Sequence, residues 1–231
     1  MPERGGGLRT FVRENSLSLF FGVTFLAALV GQTFAGWHQF NAEQVAEGLG
    51  RLTWWQYVTS ASFAVDVSEN WQSEYLQFLL YLTATVWLLQ RGSPESKELH
   101  KAGRESAEEQ KVGEHARPES PAWARAGGWR TALFSRSLGL VMGATFLASW
   151  LIQSIAGWAA NNETRLERMQ DPIGWPTYLT DADFWSRSLQ NWQSEFLAVG
   201  SMAVLSIYLR ERGSPESKPV GEPHSSTGVE G

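Results

Sequence analysis

The chain has 231 residues, a formal charge of −5 and no cysteine. Lack of thiols excludes disulfides, thiolate metal sites and cysteine nucleophiles, and so mild a charge points to no nucleic acid or other polyionic partner. Apolar residues gather in four blocks near 17–37, 71–90, 138–158 and 192–210, each about 20 residues, the length that crosses a hydrocarbon core of roughly 30 Å.

Arg4, Arg9 and Arg13 precede the first block, which ends in Thr33-Phe34-Ala35, a pattern that also fits a cleaved secretory signal. The span 17–37 carries a small-residue face, Ala27, Gly31 and Ala35, suited to close helix packing. Trp37 marks its outer end. Through the loop 38–69 aromatic residues persist, and Thr53-x-x-Gln56 reads as a capping box, so a short amphipathic helix is expected at headgroup level. The span 71–90 opens with Asn70-Trp71-Gln72-Ser73-Glu74 and ends at Arg91-Gly92-Ser93-Pro94-Glu95-Ser96-Lys97. Asn70 is expected as its cap, Glu74 in its first turn, Gly92 at its C′ position and Pro94 as its stop. Residues 98–130 interleave Glu with Lys and Arg and read as a disordered cytoplasmic linker.

The second half repeats the first, 121 residues on. Thr24-Phe25-Leu26-Ala27 recurs as Thr145-Phe146-Leu147-Ala148, Ala35-Gly36-Trp37 as Ala156-Gly157-Trp158, and Trp54 and Tyr57 as Trp175 and Tyr178. The pentad recurs as 191–195 and the heptad, letter for letter, as 212–218. Because a signal peptide has no place mid-chain, the copy at 138–158 identifies 17–37 as a retained span. Trp175-Pro176 places proline at a second short helix start. The reading is thus all-α and integral to a membrane: four transmembrane helices as two tandem, parallel helical hairpins, with short interfacial helices in the outer loops. Residues 1–97 make the first repeat, 98–130 the linker, 131–218 the second repeat and 219–231 a disordered tail. Lysine and arginine crowd the side holding both termini and the linker, which the positive-inside rule makes cytoplasmic.

Gln32, Glu74, Gln153 and Glu195 form the candidate polar cluster. Each glutamine precedes Trp37 or Trp158 by five residues, about 7.5 Å of helix, close to the depth of the glutamates. An ionisable residue at that depth is a candidate solute or ion site, and interhelical hydrogen bonding is the simpler reading. Trp37, Trp71, Trp158 and Trp192 are the expected interface anchors. The scattered histidines His38, His100, His115 and His224 have no metal-ligand spacing, and no catalytic motif is present, so no cofactor, metal or enzyme activity is expected. Expected partners are the lipid bilayer, a second copy of the chain, and a cytoplasmic protein at 91–97 and 212–218. The leading function is a structural or interaction role, and the alternative is a small solute or ion transporter using the Gln/Glu cluster.

Four stretches, Glu-Asn-Ser-Leu-Ser-Leu at 14–19, Gly-Gln to Gly-Trp at 31–37, the pentad at 70–74 and the heptad at 91–97, together resemble a family of small bacterial membrane proteins defined as a domain of unknown function. The resemblance implies a bacterial plasma membrane and carries over no activity, ligand or catalytic residue.

Overall fold

The computed structural model describes residues 7–229, so Arg4 of the topology reading lies outside the described residues. Among the described residues every regular element is helical: α1 (Leu8–Glu14), α2 (Ser16–Ala46), α3 (Trp54–Val58), α4 (Ala61–Ala84), α5 (Ala122–Arg125), α6 (Gly128–Phe134), α7 (Ser137–Glu167), α8 (Trp175–Tyr178) and α9 (Ala182–Tyr208). The described residues divide into two compact units, with the boundary in sequence between Ala64 and Val65 of α4. Two helices, α2 and α7, are long and apolar enough to cross a membrane.

In the first unit α2 runs nine residues past Trp37, further than the apolar block. The extension is held from the side. Trp37 Nε1 donates to the Leu52 carbonyl at 2.8 Å, and the Asn41 amide both donates to that carbonyl and accepts from Leu52 N–H. Residues four apart share a helix face, so one stripe of α2 grips the returning loop. The helix closes where Gly48 turns left-handed at φ 78° and Leu49 N–H reaches back to Gln44, a glycine C-cap. Thr53 and Gln56 make the expected reciprocal capping box at α3. Tyr57 then lies buried against α2 at Gly36, where a Cβ would overlap its hydroxyl.

The second unit builds the same details at positions 121 higher. Trp158 Nε1 and Asn162 Nδ2 donate to Ile173 O at 2.7 and 3.0 Å, and Asn162 Oδ1 accepts from Ile173 N–H. Pro176 sits in the first turn of α8, and Tyr178 is fully buried against Gly157. Trp150 stacks on Phe146 and Phe184 with centroids 5.5 and 6.0 Å apart and meets Trp192 at 5.8 Å, which joins α7 to α9.

Helices α4 and α9 start earlier than expected. α4 begins at Ala61 after Ser60, whose hydroxyl accepts from Phe63 N–H, and α9 begins at Ala182 after Asp181, whose carboxylate accepts from Asp183 N–H. Asn70 and Asn191 are therefore not caps. Both lie mid-helix and donate back to the carbonyls of Asp66 and Arg187 at 2.8 and 2.9 Å. Nor does the heptad stop the helix, because α4 already ends at Ala84 and α9 at Tyr208. Thr83 and Thr85 bond the carbonyls of Leu79 and Tyr81, and Val86 O accepts from Gly103 N–H of the connector, so side chain and loop compete with further helix.

Each heptad is instead a compact turn. Gly92 and Gly213 take φ of 84° and 83°, and the hydroxyls of Ser96 and Ser217 accept from Gln90 and Glu211 N–H. Residues 98–130, read from sequence as linker, carry turns, a short 3-10 helix, α5 and the start of α6. Residues 219–229, read as tail, fold over the turns. Lys218 Nζ, fully buried, donates to the carbonyls of Gly92, Pro223, His224 and Ser226 at 2.7–3.2 Å, and Gly228 N–H donates to Ser93 O.

Candidate functional site

Between α4, α7 and α9 the second unit holds a belt of polar side chains on apolar helices. It has a charged layer and an amide layer. In the charged layer Arg187 of α9 reaches Glu69 at 3.1 Å and Asp66 at 3.7 Å on α4, and Asp183 one turn back on its own helix at 3.4 Å. Three carboxylates on one guanidinium are an uneven match in charge. Tyr178 Oη donates to Asp183 at 2.9 Å, and burial with that acceptor holds its proton on more firmly than usual. Asp66 and Arg187 occupy equivalent repeat positions, so opposite charges stand where the copies have diverged.

One turn deeper, Gln72 accepts from Trp192 Nε1 at 2.8 Å. Gln153 of α7 and Trp150 Nε1 both donate to Ser188 Oγ at 3.4 Å, long bonds to one hydroxyl. Gln72 and Gln153 are fully buried, and each keeps one amide atom, Nε2 and Oε1 respectively, without a hydrogen-bond partner. Such an atom in an apolar setting costs about 1–3 kcal/mol.

Of the candidate cluster, Gln32 lies half-buried on α2 and Glu74 exposed on α4, while Gln153 is buried and Glu195 half-buried on α9. Gln153 bonds Ser188 rather than Glu195. Three of the four expected anchors spend their indole N–H internally: Trp37 on Leu52, Trp158 on Ile173 and Trp192 on Gln72. Trp71 is 41% exposed. Sequence reasoning passed over Gln72, Ser188 and the Asp66–Glu69–Arg187 group. Their signal was available, because Gln72 stands inside the repeated pentad and Arg187 is one of the few arginines between the second pair of apolar blocks. Among the described residues no three His, Asp or Glu gather as a metal site would require.

Residues 8–229 match the family described as Domain of unknown function (DUF6766). The chain belongs to that family. The DUF6766 match takes in α1 to α9, the connector and the folded tail. Neither a curated protein nor a solved structure matches the chain.

Proposed function

We propose that this DUF6766 chain is a four-span protein of a bacterial plasma membrane, a duplicated helical hairpin with both termini in the cytoplasm and a non-enzymatic structural or interaction role. The observation that supports it is the bareness of α2 and α7. Their most apolar stretches are only 6% and 17% buried, whereas a core helix of equal hydropathy in a water-soluble protein is covered. Leu147, Leu151 and Ile155 form one exposed row on α7, a surface suited to lipid. The helices α4 and α9, of 24 and 27 residues, measure about 36 and 40 Å, enough to cross if the pentads lie inside the outer leaflet. The buried Gln72 and Ser73 of the first pentad then face protein. Trp55, 70% exposed in the outer loop, offers a contact for lipid headgroups or a partner.

Reporter fusions after residues 45, 110, 170 and 225 test the topology and should read outside, inside, outside and inside. An outside reading at 110 would overturn it.

The unpartnered amide atoms of Gln72 and Gln153 favour one second reading, a small polar solute passing between α4, α7 and α9. Flux into vesicles carrying the chain, abolished by Gln153→Leu, would establish it.

A further inference from the structure

Where α4 ends, α7 begins and the connector crosses, the second unit forms an open cleft of about 1250 Å³. Pockets for drug-sized ligands hold roughly 300–1,000 Å³, so this one has room for a larger molecule. Leu79 and Leu82 from α4 and Leu138 and Leu140 from α7 give it an apolar side, and polar residues of the connector give it another. The opening follows from two glycines. At Gly143 a Cβ would stand 3.6 Å from Leu79, so the helices touch there, whereas nothing lies within 4 Å of a Cβ at Gly139 and the helices part.

The rim is charged. Glu105 is ion-paired with Lys97, and Glu114 lies 3.6 Å from His115. Arg104 and Arg136 also line the cleft, and among the described residues neither has a carboxylate partner; Arg136 Nη1 donates only to the Ala132 carbonyl. Leucines beside Arg104 and Arg136, guanidinium groups with no carboxylate ion-paired to either among the described residues, match a molecule with two apolar chains and one anionic head.

We propose that this cleft binds an anionic phospholipid, its phosphate between Arg104 and Arg136 and its acyl chains along the leucine wall past Gly139. The proposal rests on the four-span reading, which sets this end of α4 and α7 at the cytoplasmic face where anionic headgroups lie. Free phosphate would satisfy the arginines but leave the leucines uncovered. A zwitterionic lipid would offer the same chains and phosphate but would bring its ammonium charge beside the two arginines.

The test is native mass spectrometry of the full chain in detergent, titrated with dioleoyl-phosphatidylglycerol or with dioleoyl-phosphatidylcholine, which has the same chains. Retention of phosphatidylglycerol should be favoured about 25-fold, from roughly fivefold per basic side chain. R104Q/R136Q should equalise the two lipids, and G139F, which fills the opening without touching charge, should weaken both while helix content stays that of the wild type. Equal retention by the wild type, an undiminished preference in R104Q/R136Q, or displacement of the lipid by sn-glycerol 3-phosphate at equal concentration would overturn the proposal. Membrane insertion is scored separately by resistance to alkaline extraction. A chain that prefers phosphatidylglycerol yet is extracted by alkali refutes the four-span reading and leaves the site standing.

Discussion

Met169 and Gly48 end α7 and α2 in the same left-handed conformation, with φ of 56° and 78°. Glycine takes it freely, whereas a residue with a Cβ is strained by about 1–2 kcal/mol. The Met169 side chain is 98% exposed and has no packing to lose. Met169→Gly should therefore stabilise the chain by about 0.5–1 kcal/mol, after the added freedom of the unfolded glycine is deducted, read as a raised midpoint in thermal unfolding in detergent. Gly48→Met should do the opposite.

Helices α2 and α7 each pass a buried tyrosine over a glycine, and the second pair tests whether that close approach fixes the loop. A methyl at position 157 would overlap Tyr178 Oη, so Gly157→Ala should destabilise by about 1–3 kcal/mol. Tyr178→Phe removes the obstructing oxygen and should recover part of the loss, as a double-mutant cycle in thermal unfolding would show. At this scale much was legible beforehand. Thr53 with Gln56, Pro176 after Trp175, and the apolar blocks of α2 and α7 act through neighbours within a turn or two, so spacing alone reveals them. The start of α4 was not, because the polar residues of 70–74 imitate a helix start while the working caps, Ser60 and Asp181, sit ten residues upstream among other loop polars. Its end was hidden too. Thr83 and Thr85 read as ordinary span residues until Gly103, far along the chain, is seen to take the Val86 carbonyl. The polar belt was half legible: depth arithmetic selected Gln153, but only tertiary packing chooses Ser188 over Glu195 as its partner.

For the molecule as a whole, the tail gives the most direct test. Three of the four carbonyls around Lys218 Nζ come from residues 223–226, and a hydrogen bond to a charged group is worth about 1.5–3 kcal/mol net. A chain ending after Lys218 should lose at least about 2 kcal/mol of stability in detergent, and its Lys218 should react with amine-directed acylating reagents that spare it in the full chain. Unchanged reactivity would mean that the tail does not cover it.

The pairing of Asp66 with Arg187 bears on ancestry. These residues hold the same place in the two hairpins and now meet each other across α4 and α9 at 3.7 Å. Had two separate, identical hairpins associated about a twofold axis, whatever stood at that place would have confronted its own copy, carboxylate against carboxylate or guanidinium against guanidinium. A mutation in a shared gene could remove that repulsion only by neutralising both sides together, never by setting opposite charges face to face. Covalent fusion removes the constraint, because each copy then mutates alone, and a position of self-encounter becomes one where opposite charges pair α4 with α9.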